Sequence, residues 1–222
     1  SSAWAHDVHR AAQELGSSDK DKVQLAIEGL AKSSDPAALA LLDALAQDSL
    51  RIDTTGTPFV AGEGNTLSPV FGGGVKPTGA LTAPTLDNGL RRQLEPALAS
   101  LKLGFPDPKV RLEAAKDLAK SRNDDLAPLI RAAAAKERVA EIKASMQLAL
   151  AQIDLHGDDE ALKLAALSAI TAAADASFKP DLERMIGRAG AATETNPEVK
   201  KAAAAALGVI DSRLALISVI GN

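Results

Sequence analysis

The 222-residue chain contains no cysteine and no tyrosine, and its aromatic residues are four phenylalanines and Trp4. Without cysteine, the sequence excludes disulfides, thiolate metal ligands and a cysteine nucleophile. Scarce aromatics leave too few stacking surfaces for a protein that binds single-stranded nucleic acid. The formal net charge of −4 also disfavours nucleic acid or an anionic membrane surface as a partner. We therefore expect no nucleic-acid partner.

Long apolar runs and a leader sequence are also missing. No uninterrupted stretch of about 20 apolar residues is present, so we expect no complete membrane span within these residues. The start, SSAWAHDVHR, lacks the basic region and apolar core of a signal peptide. The last residues, RLALISVIGN, are nevertheless apolar from Leu214 to Ile220 except for Ser218. This pattern is unlike the polar last turn of most soluble helical domains.

Catalytic and metal-binding motifs are absent as well. The stretch GGGVKPTG, residues 72–79, contains the residue types of a phosphate-binding loop, but Pro77 removes an amide and no helical pattern follows. The sequence has no Gly-x-Ser-x-Gly elbow and no His-Glu dipeptide. Three histidines, at positions 6, 9 and 156, fit solvated helix faces and turns better than a metal site. We therefore expect no enzyme activity, no catalytic residues, no cofactor and no metal.

The main pattern in the sequence is the helical periodicity of its apolar residues. Apolar residues recur every three or four positions, as in Val23, Ile27 and Leu30 or Ile142, Met146 and Leu150. Helix starts are marked by Asp35-Pro36, Asp107-Pro108 and Asn196-Pro197, in which an acceptor side chain precedes a proline suited to the first turn. The fold class that this pattern predicts is all-α.

Several helical units resemble one another. LAKSSDPAALALLDALA, from Leu30, aligns without a gap with LAKSRNDDLAPLIRAAA, from Leu118, and looser copies start at Ser168 and Asn196. Each unit is a pair of antiparallel helices that buries its apolar faces only by stacking on neighbours. The sequence therefore predicts a HEAT- or armadillo-like helical repeat in one domain spanning residues 1–222.

Residues 48–87, which we call the insertion, interrupt the helical pattern. They contain a high share of the glycine, proline and threonine, and LRIDTTGTPFVAGEG reads as a hairpin with arms at 51–53 and 58–60. SPVFGGGVKPTGALTAP, which follows, is expected to be a flexible loop. A helix resumes with Leu90, Leu94, Leu98 and Leu101 on one face, and Pro96 either kinks it or marks its start.

One stretch, NGLRRQLEPALASLKLGFPDPKVRLEAAKDLAKS, resembles part of the N-terminal extension of bacterial urea ABC transporter permeases of the UrtB type. The resemblance extends to AIEGLAKSSDPAALALLDALAQDSLRI and to the closing RLALISVIGN, so it covers nearly the whole chain in order. The chain departs from the family in the Gly-rich loop from Gly62 to Gly79, where the family tends to a tighter, more charged hairpin.

The resemblance implies an extracytoplasmic (periplasmic) accessory domain of an inner-membrane urea transporter, with the membrane permease part after residue 222. Expected partners are the periplasmic urea-binding protein and the other permease subunit. The possible interaction residues are Asn88, Arg91 and Arg92 at the base of the insertion, with Arg51 and Asp53 on its first arm. The alternative for the base is structural, with Asn88 capping the next helix and the arginines bracing the loop. Alternative functions are a freestanding helical scaffold and a small-molecule (urea) sensor.

Overall fold

The computed structural model describes residues 2–221, with side chains from Asp7 onward. Within that range the chain forms ten α-helices and three short β-strands, so the prediction of a helical fold with a β insertion is confirmed. The helices are α1 (Ser2–Leu15), α2 (Lys20–Leu30), α3 (Pro36–Ala46), α4 (Asn88–Leu103), α5 (Pro108–Ser121), α6 (Ala127–Lys136), α7 (Ala140–Asp154), α8 (Glu160–Ala173), α9 (Lys179–Ile186) and α10 (Pro197–Ile220). The strands are β1 (Leu50–Ile52), β2 (Pro58–Ala61) and β3 (Leu67–Pro69).

Contacts divide the chain into two compact units, residues 1–110 and 111–222. The core of the N-terminal unit combines the apolar faces of α1 to α4 with Leu50 and Ile52 of β1. The core of the C-terminal unit lies among α7 to α10 and includes Phe178. Each unit therefore buries an apolar core of its own, and the prediction of a single domain over residues 1–222 stays a prediction.

Nine of the helices fall into three consecutive groups, which we call triplets 1 (α2–α4), 2 (α5–α7) and 3 (α8–α10). Carboxylate or amide side chains accept hydrogen bonds from backbone amides where the first helix of each triplet begins. The same holds where α3 begins and where the short 3-10 turns 124–126 and 176–178 lead into α6 and α9. The acceptors are Asp19, Asp107 and Asp159 for the first helices, and Asp35, Asn123 and Asp175 for the second. In both sets the spacing along the chain is 88 and then 52 residues.

Ion pairs join the second helix of each triplet to the third. The pairs are Asp43–Lys102 at 2.7 Å, Arg131–Asp154 at 3.0 Å and Lys179–Asp211 at 2.7 Å. Asp43 and Arg131 are 88 residues apart, which is the spacing between the caps of triplets 1 and 2. Lys102 and Asp154 are 52 apart, which is the spacing between the caps of triplets 2 and 3, because the long connection of triplet 1 lies before Lys102. Triplets 1 and 2 therefore contain one ion pair at equivalent positions with its charges reversed.

A second kind of ion pair, found in all three triplets, joins the residues just before the third helix to the first helix. In each triplet a carboxylate just before this helix pairs with a cation on the first helix, and the pairs are Lys20–Asp87, Arg111–Glu137 and Lys163–Glu194. In each case the hydrogen bond from the cation lowers the pKa of the carboxylate, and backbone amides at the helix start lower it further. The same electrostatic device thus fixes where each third helix begins.

The insertion occupies the connection between the second and third helices of triplet 1. Its strands form an antiparallel sheet in the order β1-β2-β3, with Arg51 opposite Phe59 and Phe59 opposite Pro69. The predicted two-armed hairpin is confirmed, while β3 was not predicted. Ile52 also exchanges backbone hydrogen bonds of 2.9 and 2.8 Å with Thr82, so residues of the expected flexible loop pair with the sheet.

Candidate functional site

Asp53 organises the insertion from the inside. Its side chain is only 5% exposed. One carboxylate oxygen, Oδ1, accepts hydrogen bonds from the Thr55 hydroxyl at 2.7 Å and from the Thr55 and Thr57 amides at 2.9 Å. The other, Oδ2, accepts from the Thr78 amide at 2.9 Å, 25 residues further along the chain. Asp53 therefore ties the hairpin turn to the later loop and exposes little surface for contact with a partner.

These hydrogen bonds stabilise the ionised form of Asp53. The Thr55 hydroxyl has the largest effect, followed by the Thr78 amide, and the pKa of Asp53 falls to about 2. An aspartate in an unfolded chain titrates near pH 3.9. Because the folded pKa is the lower one, the stabilisation is present above about pH 4 and disappears as the pH falls through about 2.

We expect Asp53→Asn to loosen the insertion at neutral pH because the neutral amide replaces a charged acceptor of several hydrogen bonds. Amide hydrogen exchange at Thr57 and Thr78 measures this loss of protection. The difference between wild type and variant should shrink steadily from about pH 4 to about pH 2. A difference that stays constant over this range would show that the carboxylate charge does not hold the insertion.

The insertion packs against α1 through close backbone approach. A Cβ at Gly56, where φ is +83°, would lie 2.7 Å from Cγ of Gln13, and only glycine accommodates both constraints. The ring of Phe71, in the Gly-rich loop, stacks on His9 of α1 with 3.6 Å between centroids. Through these contacts the insertion packs against α1 of the N-terminal unit. His9 serves as a packing partner of Phe71 in this contact. His6 lies outside the described side chains.

Two of the predicted interaction residues meet at the base of the insertion. Arg51 donates to the backbone carbonyls of Asp48 at 2.9 Å and Leu50 at 2.8 Å. Arg91 of α4 donates to the Asp48 carboxylate at 3.1 Å. Both arginines thus converge on Asp48, where the insertion leaves α3. For Arg91 this geometry is the bracing role that the sequence offered as the structural alternative, and Arg51 has the same role without having been assigned it.

The other two predicted residues remain on the surface. Asn88 is the first residue of α4, but the helix cap is Asp87, whose Oδ1 accepts from the Leu90 amide at 2.9 Å. The suggestion that Asn88 caps the helix was therefore wrong. Arg92 is also exposed, and among the described side chains it has no hydrogen bond or ion pair. Asn88 and Arg92 are the polar groups that the insertion base offers to a partner.

A second candidate lies in triplet 3, where the sequence analysis placed none. A cavity of about 400 Å³ opens where the connection from α9 to α10 faces the start of α8. Charged groups dominate its wall, including the nearly buried carboxylates of Asp181 and Glu194. His156, which the sequence analysis assigned to a helix face or turn, and Asp158 also line it. The sequence did contain a signal for this site: Asp181 lies 52 residues after Leu129, so an acidic residue stands at a position that is leucine in the preceding repeat.

The third notable feature is α10. Its first half is buried in the core of the C-terminal unit through Val199, Ala203 and Ile210. Beyond Arg213, which donates to the Ala173 carbonyl at 2.7 Å, the large apolar residues are 40–77% exposed. By length and composition, α10 is the one described helix that qualifies to cross a membrane, although the sequence predicted no complete span. The chain therefore presents an apolar helix end outside its core.

Among the side chains that the structure describes, from Asp7 to Gly221, no group of three or more His, Asp or Glu residues is arranged to hold a metal ion. The candidate sites are, instead, the polar surface at the base of the insertion, the charged cavity of triplet 3 and the exposed apolar end of α10. Comparison of the sequence with models of protein families and with curated proteins finds no match in either case.

Proposed function

We propose that the chain is a non-catalytic, HEAT- or armadillo-like interaction domain that serves as the extracytoplasmic accessory part of a urea ABC transporter permease. The repeat architecture is supported by the cap positions, which the three triplets share, and by the ion-pair positions that triplets 1 and 2 share. Stacked helical units provide extended surfaces for binding other proteins. The link to urea transport comes from the resemblance of the sequence to UrtB-type extensions.

The exposed apolar end of α10 supports a position next to a membrane. Residues 214–220 form about 10 Å of helix, which is roughly a third of the hydrocarbon thickness of a bilayer. The inner half of α10 is fixed in the protein core, so the whole helix does not cross a membrane while the C-terminal unit is folded. In the proposed arrangement, α10 brings its apolar end to the membrane surface and joins the folded domain to the permease part.

The docking role is supported by the geometry at the base of the insertion. There Arg91 is bound to Asp48, while Asn88 and Arg92 are exposed and available to a partner. Strand addition is a poor docking mode here because β3 is three residues long and contains Pro69, which has no amide to donate. We therefore propose side-chain docking at the base of the insertion, with the periplasmic urea-binding protein or the partner permease subunit as the bound protein.

The test is the affinity of the 222-residue chain for purified urea-binding protein, measured by isothermal titration calorimetry. The double variant Asn88→Ala/Arg92→Ala should bind at least about tenfold more weakly, because the loss of each central polar contact costs more than about 1 kcal/mol. Arg138→Ala removes another exposed arginine, in the C-terminal unit, and should leave the affinity unchanged. Equal affinities for the double variant and the wild type would exclude this surface, and absence of wild-type binding would exclude this partner.

A further inference from the structure

We propose that the charged cavity of triplet 3 binds a small organic cation, an ammonium or guanidinium group that donates to Oδ2 of Asp181. The proposal rests on the cavity itself and does not depend on the transporter assignment. It also differs from a metal site, because within the described residues no set of three or more potential His or carboxylate ligands is arranged around an ion.

The acceptor is available and nearly buried. Asp181 is 7% exposed, and its Oδ1 receives the Arg184 guanidinium. Its Oδ2 lies 3.8 Å from Nε2 of His156, too far for a hydrogen bond, and no other described group donates to it. Among the described side chains, Gln152 Oε1 is the atom that is fully buried without a partner, so Oδ2 of Asp181 keeps some accessible surface, and Asp181 lines the cavity. A charged acceptor without a protein donor is open to an N–H group that enters the cavity.

The charge balance of the wall selects a cation. Glu194 and Lys163 neutralise each other at 2.7 Å, and Glu194 also accepts from the Thr195 and Asn196 amides at 2.9 Å. Arg184 offsets Asp181 in the same way. Asp158 is exposed and also lines the cavity. Apart from His156, the wall has three carboxylates and two cationic side chains and so carries one negative charge in excess, which a monovalent organic cation balances.

Comparison among the triplets shows that the fold does not require these polar groups. The positions equivalent to Asp181 are Leu129 in triplet 2 and Leu41 in triplet 1, and Leu41 is completely buried. The triplet 2 equivalents of Arg184 and His156 are Ala132 and Gly104. Only the Lys163–Glu194 pair has a counterpart there, in Arg111–Glu137. A buried carboxylate at a leucine position opposes stability, which indicates a role in binding.

The ring of His156 provides a direct probe, because it is the one histidine of the C-terminal unit. Methylguanidinium chloride is titrated into the full chain at constant ionic strength, and the ring C–H resonances are followed by NMR. We expect a saturable shift at His156 and none at His9, which lies in the other unit. Urea, which has similar planar N–H groups but no charge, should produce no comparable shift.

Two substitutions of Asp181 separate binding from folding. Asp181→Asn should weaken methylguanidinium binding at least about tenfold, because it removes a charged hydrogen-bond acceptor. Asp181→Leu restores the residue of the other triplets and should abolish binding while raising the midpoint of thermal unfolding. Asp125→Asn, at an exposed aspartate outside the cavity, is the matched control and should bind like the wild type.

Three results would overturn the proposal. They are a wild-type His156 resonance that does not move with methylguanidinium, equal affinity for urea, and binding that survives both Asp181 substitutions. A stable Asp181→Leu variant without binding, beside an Asp125→Asn variant that binds normally, would support it.

Discussion

Replacing Phe178 by alanine is expected to lower the free energy of unfolding of the C-terminal unit by about 3–5 kcal/mol. The side chain is 1% exposed and belongs to the core cluster that includes Leu182 and Leu207. The equivalent residues of the other triplets, Leu126 and Ala38, are 2% and 0% exposed, so this position is buried in all three. Urea denaturation followed by far-ultraviolet circular dichroism, with amide exchange in α9, measures the loss.

Two matched variants calibrate this result. Phe178→Leu introduces the residue of triplet 2 and should cost less than about 1.5 kcal/mol, because much of the volume is retained. Val209→Ala, on the exposed side of α10, should change the stability by no more than about 0.5 kcal/mol. If Phe178→Ala stays within that same margin, Phe178 does not fill the core in the way described above.

Reversing one charge of the Arg131–Asp154 pair should be the second largest effect. Both terminal nitrogens of Arg131, Nη1 and Nη2, donate to the carboxylate, at 3.2 and 3.0 Å, and the Asp154 side chain is 9% exposed. Arg131→Asp places a like charge beside this nearly buried group. We expect a loss of about 2–4 kcal/mol, since Arg131 is 43% exposed and solvent reduces the full cost of a buried unpaired charge.

The reversed pair of triplet 1 indicates how to rescue that loss. Adding Asp154→Lys to Arg131→Asp recreates the arrangement of Asp43 and Lys102 and should recover more than half of the stability. A double-mutant cycle by urea denaturation measures the coupling. The same cycle on the exposed pair Lys120–Asp117 should give a coupling below about 0.5 kcal/mol. Equal couplings for the two pairs would mean that the buried contact has no special weight.

Local chemistry predicted much of the helical fold. Asp35 and Asn196 cap helices whose first residues are Pro36 and Pro197, as the sequence indicated. Pro96 lies inside α4, and the apolar stripe of that helix was identified correctly at Leu90 and Leu94. These features depend on residues within about one helical turn of each other, which is the range over which sequence patterns report structure.

The insertion and the cavity depend on contacts that are distant along the chain. Asp53 accepts from Thr78, and Ile52 pairs with Thr82, so a loop that its composition predicted to be flexible is fixed by partners 25 and 30 residues away. β3 has no alternating pattern of its own and is defined by its pairing with β2. Asp181 was overlooked for a related reason, because its burial follows from helix packing and a single acidic residue in a helix usually faces solvent.

The reversed charges of triplets 1 and 2 have a consequence for folding. A chain that contains several similar helices risks docking a helix on the wrong copy, as happens in misfolded repeat proteins. If α3 docked on α7, Asp43 would meet Asp154, and if α6 docked on α4, Arg131 would meet Lys102. Each exchange would bring like charges together in a partly desolvated contact, where repulsion is strong. The opposite polarity of the two pairs thus disfavours exchange of helices between triplets 1 and 2 and favours docking within each of them.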